Sequence, residues 1–266
     1  MVKQVQTIDE YYDFLDDDDD DYLFYAPTYF EYDEQLVILA CLMLLEKRYQ
    51  EIKSMTLQRI VEEIDEIIDS LNEELSSVAR IKMTAATQEY YNFVMDNFNV
   101  PDKYVNADTS MIEIAVESIN TLCNLLKGEL KQKAMFFEDN ISKGSFDILP
   151  NFKRAIQRVV DAVGNNLIYS KVKTRRNVYE FVYGKDKLYR WLTANDDKVC
   201  AWCRMQESLP PRTLKEMPLD HPRGRCIEEP VDYTYSDEYY TMLARGEYRK
   251  EIDAFTPESI YDSWEV

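Results

Sequence analysis

The sequence predicts a mainly α protein: a bundle of long helices, then a small irregular α+β module, then an acidic tail. Three observations carry that expectation. Neither Gly nor Pro occurs between Pro27 and Pro101. From Leu57 to Val78 the apolar residues Leu57, Ile60, Ile64, Ile67, Leu71, Leu75 and Val78 recur at spacings of three and four, the period of a helix with one buried face. Pro210, Pro211, Pro218, Pro222 and Gly224 crowd a later stretch that can hold no long helix. With 6 Gly and 20 Tyr among 266 residues, barrels, propellers and Gly-rich phosphate loops are disfavoured.

Residues 1–32 form an acidic arm. Asp9, Glu10 and Asp13 lead into an unbroken acidic run from Asp16 to Asp21, bordered by Tyr22, Phe24, Tyr25 and Tyr29. Like charges at this density repel and extend the chain, so the expectation is a flexible arm, with an acidic docking peptide as the functional alternative. The helical bundle then spans 33–163. Its expected helices are 33–53, 55–80, 83–98, one beginning after the Asp108-Thr109-Ser110 capping cluster, and a short basic one over 152–163. Leu36 to Leu45 is the longest apolar run, about half the roughly 20 residues of a membrane span, and reads as a buried helix segment. Met1 to Phe14 lacks the basic start and apolar core of a secretion signal, so the chain is expected to start in the cytoplasm, without a membrane partner. Cys41 and Cys123 fall on apolar faces, where thiols behave as small hydrophobes.

Charge changes sign along the chain. Residues 1–150 carry 12 basic and 31 acidic side chains, 151–225 carry 16 and 8, and 226–266 carry 3 and 11, within a total of −19. Such an acidic chain, with a pI of about 4.5, excludes a protein that wraps a polyanion over its whole surface. The shift places a boundary near Pro150, and the basic module is expected over 164–230 with the acidic Tyr-rich tail at 231–266. Within 165–190, Lys171, Lys173, Arg175, Arg176, Lys185, Lys187 and Arg190 alternate with Tyr169, Tyr179, Phe181, Tyr183 and Tyr189. This stretch either packs against the acidic helices of its own chain or of a neighbouring subunit, or contacts an acidic partner or DNA phosphates.

One constellation carries chemistry. Cys200, Cys203, His221 and Cys226 bring three of five cysteines and the sole histidine within 27 positions. A Cys-x-x-Cys pair followed by a second pair of soft ligands presents four donors to a tetrahedral zinc. Four protein ligands close the site to water, which makes the metal structural, so the fold becomes a helix bundle with a zinc-stapled module and no enzymatic role is expected. A redox Cys-x-x-Cys and a metal-free reduced pair are the competing readings. One imidazole cannot build a His-Glu-x-x-His protease or a two-histidine nuclease. Asp196 and Asp197 could hold magnesium, but adjacent carboxylates point apart, and capping the turn before the Cys pair is the favoured role. Trp191 and Trp202 are expected to roof the metal site.

The string from Tyr189 to Cys203, YRWLTANDDKVCAWC, followed by His221-Pro222-Arg223-Gly224-Arg225-Cys226, resembles the C-terminal signature of phage minor head proteins, the head morphogenesis family that includes protein F of phage Mu. Trp191, Thr193, Asp196, Val199, Cys200, Cys203, His221, Pro222, Arg225 and Cys226 match its pattern, whereas Gly224 replaces the first cysteine of the usual ending. Thr174 and Asn177 fit the Thr-containing helix that precedes the motif. The resemblance covers about 165–230 and implies a structural virion component, in the head interior or at the portal vertex, assembled in the host cytoplasm. Portal protein and major capsid protein are the implied partners, with self-association and a DNA contact through 165–190 as further expectations. The alternative is a zinc-stapled nucleic-acid-binding protein of a mobile element, and a metal-dependent nuclease is a third reading that would lack a general base.

Overall fold

The computed structural model describes residues 32–98, 106–139, 147–193, 199–220 and 226–232. The acidic arm up to residue 31, Asp196, Asp197, His221 and the tail beyond 232 lie outside the described residues. The described chain is mainly helical, with a small two-stranded sheet. Four long helices come first: α1 (Tyr32–Lys53), α2 (Leu57–Phe98), α3 (Ser110–Asp139) and α4 (Leu149–Tyr183). Strand β1 (Tyr189–Leu192), the short helix α5 (Ala201–Ser208) and strand β2 (Ile227–Pro230) follow.

Two helices are longer than the sequence spacing predicts. The expected segments 55–80 and 83–98 are one helix of 42 residues, because Ile81 and Lys82 offer neither a cap nor a breaker. Likewise the short helix expected over 152–163 is a 35-residue helix that runs through to Tyr183. Pro150 sits in its first turn, where the missing N–H costs nothing, and the Asp147 carboxylate accepts from the Leu149 N–H at 2.9 Å. Gly164 lies in its middle, a cost of about 1 kcal/mol that does not stop a helix whose apolar face resumes at Leu167, Ile168 and Val172. The helix ends at Gly184, whose φ of 85° suits glycine and whose N–H closes on the Glu180 carbonyl at 3.0 Å.

The polar contacts between helices give the bundle its direction. Arg80 meets Glu113, Asp69 meets Lys127 and Asp65 meets Lys131, so α2 and α3 run antiparallel. Asp108 receives Ser170 and Thr174 contacts while Glu129 meets Asn151 and Arg154, so α3 and α4 also run antiparallel. Glu34 with Lys171, and Tyr49 against Phe152, set α1 antiparallel to α4. Inside lies one core, to which α1 gives Ile38, Cys41, Leu42 and Leu45, α2 Ile64, Ile68, Leu71 and Leu75, α3 Ile119 and Leu130, and α4 Val159 and Val163. The apolar run of α1 is therefore a helix buried nearly all round. Among the described residues no helix is long and apolar enough to cross a membrane.

Helix length explains where the rest of the chain goes. At 1.5 Å per residue α1 spans about 33 Å and α2 about 63 Å, so the far ends of α2 and α4 project beyond α1. That overhang carries Tyr90, Tyr91, Val94 and Met95 from α2 and Val178 and Tyr179 from α4. A second core covers it, built with Tyr189, Trp191, Cys203, Leu214, Met217, Cys226 and Ile227. β1 and β2 pair antiparallel, Tyr189 opposite Pro230 and Leu192 opposite Ile227, and Tyr189 exchanges two backbone hydrogen bonds with Arg212 at 2.8 and 3.1 Å. Tyr179 stacks on Tyr189 at 5.9 Å between ring centres. The helix that carries the boundary expected at 163–164 thus belongs to both cores without a break.

A buried ion cluster locks the sheet to this overhang. The Glu228 carboxylate accepts from Arg175 at 2.6 and 3.1 Å and from Arg176 at 2.8 Å, while Arg175 donates to the Tyr90 hydroxyl at 2.7 Å. Burial alone would raise the Glu228 carboxyl, but the two guanidiniums hold it down at about 2. Breaking such a pair leaves an uncompensated buried charge. Glu228→Gln should therefore cost about 3–5 kcal/mol and lower the thermal midpoint by roughly 10 °C. Differential scanning calorimetry beside the exposed-pair control Glu63→Gln, which should shift little, checks this.

Candidate metal centre

Cys200 and Cys203 are placed by the start of α5. Cys200 is the N-cap, extended at φ −73° and ψ 162°, and its sulfur accepts from the Cys203 N–H at 3.4 Å. Cys203, in the first turn, is therefore turned inward, where only 2% of it is exposed. Asp220 approaches from the Pro-rich connection. Its carboxylate faces the Cys203 thiol at 3.9 Å and accepts the Cys226 N–H at 2.9 Å. Ligand atoms of Cys203, Asp220 and Cys226 lie within 4.8 Å of one another, close enough to hold a metal ion, and all three residues are buried.

The electrostatics of this cluster are unfavourable to anions on their own. Burial pushes the Cys203 thiol upward, and contact with Cys226 and the Asp220 charge push it further. Burial and then Asp220 raise Cys226 to about 12. As thiols both are neutral at physiological pH, and two thiolates beside a carboxylate would need a cation among them. Zinc accepts both sulfur and carboxylate oxygen, so the donor set suits it.

Of the four ligands expected from sequence, the structure brings Cys203 and Cys226 together. Cys200, exposed at the helix cap, has its side chain in contact with Cys203, and His221 lies outside the described residues. Asp220 was missed because a Cys/His count ignores carboxylates. Its position directly before His221-Pro222 was the available signal. The aromatic roof is present in part: Trp191 and Trp202 meet edge to face at 5.6 Å, and Trp191 lies beside the Cys226 thiol. Thr193 donates its N–H and hydroxyl to the Glu207 carboxylate at 3.2 Å, which ties β1 to α5. Thr174 is buried and accepts the Asp108 N–H at 2.8 Å, fixing the start of α3.

The basic stretch turns mostly inward. Lys171 is paired with Glu34 and lies 5.8 Å from the Tyr90 ring centre, and Arg175 and Arg176 grip Glu228. Arg176 also donates to the carbonyls of Leu214, Met217 and Pro218, joining α4 to the Pro-rich connection. Lys187 meets Asp232 and Arg190 meets Glu229 nearer the surface. Lys173 donates to the Ser110 hydroxyl at 3.1 Å, and Lys185 is exposed. A groove of about 760 Å³ beside them is of mixed sign, with Lys173, Lys185 and Lys215 facing Asp108, Glu180 and Asp186.

No protein-family model, curated protein or solved structure matches the chain.

The thiols differ enough in burial to be ranked. Cys41 and Cys123 are buried and raised to about 12, chiefly by desolvation, whereas Cys200 is exposed. Iodoacetamide applied to the folded metal-free chain at about pH 8 should label Cys200 first and Cys41 and Cys123 last. Peptide mass spectrometry along a time course checks the order.

Proposed function

We propose that the chain is a structural minor head protein of a phage, without enzymatic turnover, whose Cys module is closed by zinc and which binds portal or capsid interior during head assembly and genome packaging or delivery. One observation supports the reading: the motif residues that fall among the described residues lie near one another in three dimensions. Trp191, Thr193, Val199, Cys203 and Cys226 sit in or against the second core, around the cluster that could hold a metal. A motif whose members meet in space behaves as a folding unit, and here that unit caps one end of a helical body. Such an architecture suits a connector, because it presents a long helical flank and a compact end to different neighbours.

Zinc in this reading is held by Cys203, Asp220 and Cys226, with the fourth position left to Cys200 or His221. It would supply the positive charge that two buried thiolates beside a carboxylate require. The competing nucleic-acid reading draws on the same basic stretch. Lys171, Arg175 and Arg176 are held by Glu34 and Glu228, which leaves Lys173, Lys185 and Lys215 as the cations at the groove.

Two experiments follow. Full-length chain purified without a histidine tag should carry about one zinc per chain, and Asp220→Ala and Cys203→Ser should each lose most of it. Metal content by inductively coupled plasma mass spectrometry that stays below about a tenth of an equivalent in the unsubstituted chain, or is unchanged in both variants, overturns the metal site. Affinity capture of a tagged copy during phage or prophage induction should recover portal and major capsid proteins at stable ratios. Recovery of nucleic acid without head proteins transfers the reading to a DNA-binding protein.

A further inference from the structure

The three sulfurs of the Cys module are ordered by depth. Cys200 is exposed at the N-cap of α5, Cys203 one turn later is 2% exposed, and Cys226 behind it is also buried. The Cys203 side chain touches both of the others. Cys200 and Cys203 stand three positions apart at a helix start, where Cα atoms lie about 5–6 Å from each other, inside the span of an unstrained disulfide. The Cys203 N–H points at the Cys200 sulfur at 3.4 Å, so the first turn of α5 faces the atom on which negative charge gathers when that sulfur attacks. A carboxylate stands behind the buried thiol: Asp220, 2% exposed, faces the Cys203 S–H at 3.9 Å. Holding a metal does not call for one sulfur open to solvent with a second in contact beneath it. Thiol–disulfide exchange calls for both, and for a group that takes the proton of the buried thiol.

We infer that Cys200 and Cys203 form a dithiol that reacts with small disulfides, with Asp220 accepting the proton of the buried thiol. Of the five cysteines only Cys200 is exposed, so the first step takes place there. Its sulfur attacks one sulfur of the reagent RSSR, the reagent's S–S bond breaks, and one RSH leaves with the proton that Cys200 gives up through water. A mixed disulfide Cys200–S–S–R remains. Cys203 then attacks the Cys200 sulfur from the inner side, the bond to R breaks, and a Cys200–Cys203 disulfide forms. The Cys203 proton passes to Asp220 and from there to the departing sulfur as the second RSH. Two protein thiols are oxidised and one disulfide is reduced to two thiols, so no further reactant is needed. Cys41 and Cys123 take no part, because they lie inside the helical core.

This chemistry does not rest on a bound metal. Where zinc is held by Cys203, Asp220 and Cys226, it and the disulfide exclude each other, since a sulfur bonded to sulfur is no longer a thiolate ligand. The cluster then has a dithiol form, a metal-bound form and an oxidised form, and the surrounding concentrations of metal and disulfide choose among them.

The full-length chain, reduced and freed of metal with a chelator, is incubated with oxidised glutathione at about pH 8, and circular dichroism verifies that it stays helical. Peptide mass spectrometry after acid quenching and alkylation should find a Cys200–Cys203 disulfide, with Cys41, Cys123 and Cys226 as free thiols. Cys203→Ser should stop at a stable glutathione adduct on Cys200. Cys200→Ser should take up glutathione at least about tenfold more slowly. Asp220→Asn should leave the first step unchanged and slow the loss of the adduct by about tenfold or more, a split that a packing role alone would not produce. No disulfide in the folded chain overturns the inference, and so does a disulfide that involves Cys226, or a Cys203→Ser chain without an adduct on Cys200. Asp220→Asn that slows both steps alike, or neither, overturns the role of the carboxylate. Zinc added beforehand should slow the oxidation of the unsubstituted chain. A disulfide that forms at the same rate with zinc present still supports the dithiol and counts against the metal site instead.

Discussion

The position of the Cys module depends on one carboxylate. Glu228 belongs to β2, yet its charge is balanced by Arg175 and Arg176 on α4, and Arg175 reaches on to Tyr90 of α2. Three elements far apart in sequence therefore meet at a single buried cluster. Taking these charges out of water is expensive, and a well-packed apolar replacement could match the cluster in stability. What an apolar patch could not reproduce is direction. Two guanidiniums fix the carboxylate to within hydrogen-bond geometry, and through β2 they fix β1 and the residues next to Cys226. Register along the short strands follows, since a slip of one residue would turn Glu228 away from both arginines.

The helices were legible because burial on one side of a long helix imposes a period on the sequence. Their ends were legible only where a stop or start signal exists. Asp108 and Ser110 begin α3 as expected, but α4 runs past the expected end at 163 to Gly184, and no residue marks the absence of a break at Ile81-Lys82. The buried positions Leu75, Ala79, Met83, Ala86 and Tyr90 keep the spacing of three and four across it, so the helix runs on. The second core was not legible, because its members come from Tyr90, Tyr179 and Cys226, positions that no local pattern connects. Ion pairing was illegible for the same reason: Lys171 and Glu34 are 137 positions apart, and nothing near Arg175 points to Glu228. The basic stretch could be counted from sequence, whereas its solvent exposure could not.

The candidate metal cluster follows from the same geometry. A stretch as rich in proline as 210–222 cannot bury enough apolar surface to hold its own path. Arg176 restrains it through three carbonyl groups, and Asp220 closes it against Cys203 and Cys226. The cysteine pair was readable from its spacing. Asp220 became visible only once the connection had been folded back. Raised thiols beside a carboxylate describe a site that demands a cation once its thiols ionise.

Charge distribution then separates the molecule's surfaces by purpose. Among the described residues, Arg154, Lys171, Arg175, Arg176, Lys187 and Arg190 of the basic stretch between 151 and 225 are paired with acids of the same chain. The acidic excess remains outside, over the first half of α2 above all.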